Sequence, residues 1–290
     1  MMQRGIIISG SIVYLAVLAS VLFTGEPPVM HIDEPTVELS RDAAKGLPYR
    51  GVAMTVQRVD WIDEYKKSID EIASIGADTV LLVIDTRQEN GKSSRIYLDM
   101  RITPTNDQLG ELIDHAKKKN LRVILMPIVL LDHPTGNEWR GTIHPDSWDD
   151  WWASYRDMIN FFAMAANVHH ADVLVVGSEL VSTEPMLDEW TKTIRGVREI
   201  FKGNLTYSSN WDHYEPIQFW DQLDLVAMNS YWKLGDSKDA TVPEIIQHWK
   251  EIQKPLRRFI SKVHKPLLFT EVGWFSQDNV AYEPWDYTQG

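Results

Sequence analysis

Asp172-Val-Leu-Val-Val-Gly-Ser-Glu179 and Lys265-Pro-Leu-Leu-Phe-Thr-Glu271 are built alike: a short apolar run that ends in a carboxylate. A run of aliphatic residues with no polar alternation reads as a strand covered on both faces, which is the mark of a parallel sheet. A charge at the carboxyl end of such a strand is costly to bury without a purpose. In a βα barrel, that end of the strands is where active sites are built.

A single glutamate at a strand end is as readily a helix-cap neighbour or an ion-pair partner. The pair argues for more. Gly177-Ser178-Glu179 permits close backbone approach, and Glu271-Val-Gly-Trp274 sets an indole three residues past the carboxylate. No basic residue lies near either glutamate in sequence. Two glutamates arriving from separate strands suit the acid and nucleophile of a glycosidase.

Working outward, strand-like runs alternate with amphipathic helical stretches from Pro48 onward. Seven strands are expected, at Gly51–Val56, Thr79–Ile84, Val123–Leu130, Val173–Val176, Leu205–Ser208, Leu225–Met228 and Leu267–Thr270. Helices are expected at Ile62–Ile75, Asp107–Lys119, Trp148–Asn167, Met186–Phe201 and Pro243–Val263, with start signals at Thr105-Asn106-Asp107 and Pro145-Asp146-Ser147. This alternation predicts an α/β fold, either a barrel or a doubly wound sheet. No glycine-rich phosphate cradle follows the first strand, and polar or aromatic residues decorate nearly every strand end, so the (β/α)8 TIM barrel is preferred. Those residues are Asp85 and Arg87, Asp132 and His133, Glu179, Asn210 and Trp211, Asn229 and Tyr231, and Glu271 and Trp274. A closed barrel has eight strands, and Phe275–Gly290 reads as loop. The expectation is a barrel truncated before strand eight, its natural chain continuing past Gly290.

Composition narrows the function classes. The chain has 290 residues, 44% hydrophobic and 24% charged, with a net charge of −12 and no basic block, which argues against nucleic acid as a partner. Cysteine is absent, so disulfides, thiolate metal sites and a cysteine nucleophile are excluded. Twelve tryptophans exceed what core filling needs, and flat indoles suit sugar faces. No H-E-x-x-H or similar spacing points to a metal, although His133, Glu138 and His144 lie close in sequence. Asn204-Leu-Thr206 matches a glycosylation sequon but overlaps an expected strand.

At the N-terminus, Met1-Met-Gln-Arg4 precedes nineteen uncharged, mostly apolar residues, Gly5–Phe23, followed by a poor cleavage sequence, Leu22-Phe23-Thr24-Gly25. Residues 1–25 read as a signal anchor or a signal peptide. Residues 26–47 read as a proline-bearing linker and 48–290 as the barrel, carried outside the cytoplasm and tethered or secreted.

The fourth-strand glutamate, the sixth-strand Asn229-Ser-Tyr231 and the seventh-strand Thr270-Glu-Val-Gly-Trp274 resemble clan A retaining glycoside hydrolases. The chain most resembles glycoside hydrolase family 113, whose characterised activity is endo-β-1,4-mannanase; the likeness runs from about Pro48 to Gly290. It implies Glu179 as acid/base, Glu271 as nucleophile and Tyr231 as the tyrosine that hydrogen-bonds the nucleophile. Much of the clan carries asparagine before the acid/base, to hold the sugar 2-hydroxyl. Ser178 stands there instead, which leaves the sugar preference open. The clan's strand-eight tryptophan has no counterpart before Gly290.

The expected chemistry keeps Glu271 ionised, helped by Tyr231 and by Arg87, and Glu179 protonated by apolar surroundings, with no metal or organic cofactor. Arg87 and His133 either bind sugar hydroxyls or form salt bridges. Ser178 and Asn229 face substrate in this reading. Trp211, Trp232 and Trp274 are sugar platforms or core. The substrate is a β-linked polysaccharide, most simply β-1,4-mannan. Two alternatives stay open: a membrane-tethered carbohydrate-binding protein that kept the frame without the reaction, and a barrel hydrolase for another β-glycan.

Overall fold

A computed structural model describes residues 48–274 and 280–285. Strands β1 (Gly51–Val56), β2 (Thr79–Gln88), β4 (Arg122–Leu131), β5 (Val173–Ser178), β6 (Asn204–Ser209), β7 (Val226–Asn229) and β8 (Leu267–Glu271) are the seven expected ones. They pair in parallel, neighbour to neighbour in chain order, as one curled sheet. Between them run α1 (Ile62–Ser74), α2 (Asn106–Lys118), α3 (Trp148–Val168), α4 (Leu187–Ile200) and α5 (Val242–Val263). Both start signals read from the sequence are used. Thr105 and Gln108 form a capping box on α2, and the Ser147 hydroxyl accepts from the Asp150 N–H at the start of α3.

The sheet is covered on both faces, which is why its strands carry no polar alternation. Val80, Leu82, Leu125, Leu174 and Val176 belong to the large core under the helices. The residues between them, Leu81, Val83, Ile124, Met126, Val173 and Val175, join Leu225, Ala227 and Leu268 in a second apolar cluster on the concave face. Among the described residues β1 and β8 are not paired with each other, and an apolar groove lined by Tyr49, Ala53, Leu81 and Leu268 lies between them.

Two differences from the expected layout bear on function. β2 extends four residues past Ile84, and a two-residue strand, β3 (Ile96–Tyr97), returns antiparallel against its end. The extension is Asp85-Thr-Arg-Gln88, whose polarity breaks the apolar run, yet it stays paired to Ile128–Leu131 of β4. Its side chains find internal partners: the Thr86 hydroxyl donates to the Ile128 carbonyl at 2.9 Å, and Gln88 accepts from the Trp151 indole at 2.8 Å. The sequon threonine, Thr206, is fully buried within β6. Among the described residues no helix is long and apolar enough to cross a membrane. The anchor and linker expected at 1–25 and 26–47 lie outside the described residues.

Candidate active site

The site forms where the carboxyl ends of β5, β7 and β8 meet. β5 reaches it through Gly177, whose bareness is required: a Cβ there would lie 2.6 Å from the Trp190 ring and 2.8 Å from the Tyr155 hydroxyl. That hydroxyl is already committed to the Val176 carbonyl at 2.6 Å. Register shifts interrupt β5–β6 just before Ser178 and β7–β8 just before Asn229. Such bulges re-aim side chains at sheet rims.

Glu179, immediately after β5, has φ of +54°, in the left-handed region that a glutamate adopts only when its surroundings impose it. Its N–H donates to the Ser208 carbonyl at 2.9 Å. The carboxylate is buried, receives the Asn229 amide on Oε1 and pairs through Oε2 with the Arg140 guanidinium. Burial pushes its pKa up, Arg140 pulls it back, the negative charge of Glu271 raises it again, and the Asn229 hydrogen bond opposes. The net direction is upward, so Glu179 keeps its proton above the usual carboxylate range.

Glu271 closes β8 and sits opposite Asn229 in the register. The Ser230 N–H donates to the Glu271 carbonyl at 2.8 Å, and the Tyr231 hydroxyl donates to its Oε2 at 3.0 Å. Two carboxylates therefore share one rim. One is buried with a raised pKa; the other, half-buried, accepts from a tyrosine.

Several residues expected to face substrate hold the site instead. The Asn229 amide nitrogen donates to Glu179 and, at 3.0 Å, to Asn210, while its oxygen accepts from the Trp211 N–H at 2.8 Å. Both ends of this side chain are in use, so Asn229 ties Glu179 to Asn210 and to the Trp211 backbone. Arg87 was expected beside Glu271; its guanidinium pairs with Asp85 at 3.1 Å and Asp132 at 3.3 Å. Asp85 is fully buried, and burial raises its pKa. His133 is exposed and pairs with Glu89 at 3.0 Å. Ser178 is buried at the rim, and its hydroxyl has no hydrogen-bond partner among the described residues.

The tryptophans divide. Trp232, partly buried, packs against Trp249 and Phe269 and meets the Trp211 ring edge-on, centroids 6.1 Å apart. Trp211 stacks on Trp285, ring centroids 5.7 Å apart and planes inclined by 20°. Trp274 and Trp285 are both exposed.

Arg140 was not foreseen. It rides on a short 3-10 turn, Arg140–Thr142, in the connection between β4 and α3. That connection is pinned to the β2–β3 hairpin: Glu138 accepts from the Gly91 N–H at 3.1 Å, and the His144 N–H donates to the Gly91 carbonyl at 2.8 Å. No basic residue lies near Glu179 along the sequence; folding delivers one. Among the described residues no group of three or more His, Asp or Glu is placed to hold a metal ion.

The model of Glycoside Hydrolase Family 113 matches residues 52–290. The chain belongs to this family. Among solved structures, the family 113 β-mannanase from Alicyclobacillus acidocaldarius, in complex with ManMIm, is 27% identical with a TM-score of 0.74, over 84% of this chain and 77% of that one. A second family 113 β-1,4-mannanase, 24% identical with a TM-score of 0.71 over 84% of this chain and 78% of the other, shares the fold. So does an exo-β-1,4-mannosidase from an Opitutaceae bacterium, 15% identical with a TM-score of 0.51 over 77% of this chain and 46% of the other. No curated protein matches the chain. As a member of family 113, within clan A, the chain is a glycoside hydrolase.

Proposed function

We propose that this family 113 hydrolase cleaves β-1,4-mannan with retention of anomeric configuration, on the frame of a (β/α)8 barrel, with Glu271 as nucleophile and Glu179 as acid and base. The observation that carries the reading is the inequality of the two carboxylates: Glu179 is buried, with burial and the charge of Glu271 pushing its pKa up, whereas Glu271 is half-buried and accepts from Tyr231. Two carboxyl groups in such unlike surroundings suit one acid and one base at a single pH.

Glu271 attacks the anomeric carbon while Glu179 delivers its proton to the departing glycosidic oxygen. A glycosyl ester forms on Glu271. Glu179, now ionised, takes a proton from water, which displaces the ester and restores both groups. Arg140 and Asn229 hold Glu179 in both states, and Arg140 stabilises the ionised form that exists between the two steps. Trp211, Trp274 and Trp285 offer flat apolar surface for further sugars. The β-mannanase activity of the 27% identical neighbour supports mannan as the substrate.

The apolar Gly5–Phe23 stretch behind Arg4 supports export, with a membrane tether or a signal peptide ahead of the 26–47 linker. Fractionation of cells expressing the full chain tests that placement.

The test of function is the anomer of the first product. Proton NMR during hydrolysis of mannohexaose should show the β-anomer forming before mutarotation, with Glu271→Ala abolishing the signal. An α-anomer as first product, or failure to act on any β-mannan, overturns the proposal.

A further inference from the structure

Beneath Glu179 lies a second buried carboxylate that the reaction does not use. Glu184, just beyond the short 3-10 turn Val181–Thr183, is 3% exposed. Its Oε1 accepts from the Tyr207 hydroxyl at 2.8 Å, and its Oε2 lies 2.5 Å from Nδ1 of His213. Tyr207 is fully buried on β6, and its hydroxyl also accepts from the N–H of Leu180 at 2.8 Å. The chain His213, Glu184, Tyr207 therefore ends on the peptide directly after Glu179.

That peptide is where strain has to be held. Glu179 sits at φ +54°, a conformation that reverts unless its neighbours over-determine it. Its own N–H is fixed by Ser208, and the Leu180 carbonyl accepts from the Thr183 N–H at 2.9 Å and the Thr183 hydroxyl at 2.7 Å. The Leu180 N–H is the remaining handle, and only Tyr207 holds it among the described contacts. Burying an extra carboxylate to orient one phenol is expensive unless that orientation matters. The same β6–β7 connection carries Trp211, bound to Asn229, so both ends of the Glu179 environment are tied to one loop.

We propose that Tyr207, Glu184 and His213 are positioning residues that fix the backbone of Glu179 and thereby aim its proton at the departing oxygen. The inference rests on the assignment of Glu179 as acid/base. Glu184 orients Tyr207 by accepting its hydroxyl hydrogen bond, so that the phenol oxygen presents a lone pair to Leu180. His213, partly exposed, holds the far oxygen of Glu184.

The test separates acid delivery from general damage to the site. A 2,4-dinitrophenyl β-mannobioside leaves without protonation, whereas a mannan linkage needs the acid. In Tyr207→Phe, kcat/KM on mannohexaose should fall on the order of tenfold to a hundredfold, the cost of about 1 Å of misplacement, while kcat/KM on the dinitrophenyl substrate stays within twofold. His213→Ala, at the solvent end, should show the same selectivity with a severalfold loss. Equal losses on both substrates, or no loss on either, in whichever of these variants folds, overturn the proposal. Glu179→Ala supplies the reference: selective loss on mannohexaose, with azide accelerating turnover of the dinitrophenyl substrate, upholds Glu179 as acid/base. If that reference holds and Tyr207→Phe and His213→Ala lack selectivity, only the positioning role fails; if the reference itself lacks selectivity, the assignment of Glu179 fails with it.

Discussion

Tyr231, two residues past the end of β7, donates its hydroxyl to Oε2 of Glu271 at the end of β8, 3.0 Å away. A hydrogen bond to an ionised carboxylate contributes about 1.5–3 kcal/mol, and each 1.36 kcal/mol is about a tenfold change in rate. Tyr231→Phe should therefore lower kcat/KM on mannohexaose about tenfold to a hundredfold while the thermal melt is preserved. The site lies on the rim, so the lost hydroxyl leaves no void in the core. Unchanged turnover would remove Tyr231 from the reaction.

Arg140 sets the alkaline side of the pH profile. In its proposed role as the acid, Glu179 works only while protonated, so activity is present below its pKa and lost as the pH rises through it. Burial raises that pKa and Arg140 lowers it. Arg140→Met removes the lowering influence, so the alkaline limb of kcat/KM against pH should move to higher pH. A limb that stays in place or moves to lower pH contradicts the pairing.

Gly177 tests how tightly β5 must pass beneath the site. An alanine methyl there would meet the Trp190 ring at 2.6 Å and the Tyr155 hydroxyl at 2.8 Å, and both partners are fully buried or nearly so. Overpacking of this kind costs about 1–3 kcal/mol. At about 2–4 °C per kcal/mol for a domain of this size, Gly177→Ala should melt several degrees lower. Activity should fall further than stability does, because the shift is passed two residues on to Glu179. A melt equal to that of the parent protein would show that the aromatic cluster can yield.

The sequence disclosed the sheet because each strand is buried twice over: residues such as Leu81 and Leu82 face different cores, so the run stays apolar throughout. It disclosed Glu179 and Glu271 for the related reason that a charge stands out at the end of such a run. The far half of β2 was hidden because Thr86 and Gln88 find partners in Ile128 and Trp151 and Arg87 pairs with Asp85 and Asp132, whereas polarity alone reads as a turn. Arg140 was hidden differently. It sits in an irregular connection whose path is set by Glu138 and the β2–β3 hairpin, and no local pattern encodes a meeting with Glu179. Asn229 was found as a site residue, but its type at a strand end does not reveal which partners the amide meets: Glu179, Asn210 and the Trp211 backbone.

Trp285 escaped notice in the sequence because it lies beyond the last strand, among residues without periodicity. In the structure it stacks on Trp211, which is itself anchored through its N–H to Asn229. The pair thus forms a rigid apolar surface attached to the Glu179 support, with the outer ring exposed. A sugar resting on it lies beside the reacting unit, so its contacts should be equal in the ground and transition states. Removing such contacts raises KM and leaves kcat alone. Trp285→Ala should raise KM for mannohexaose severalfold, keep kcat within about twofold and have little effect on the dinitrophenyl β-mannobioside, which is too short to reach past the site. A fall in kcat at unchanged KM would place Trp285 at the reacting sugar instead, and equal kinetics on both substrates would show that the stack serves the fold.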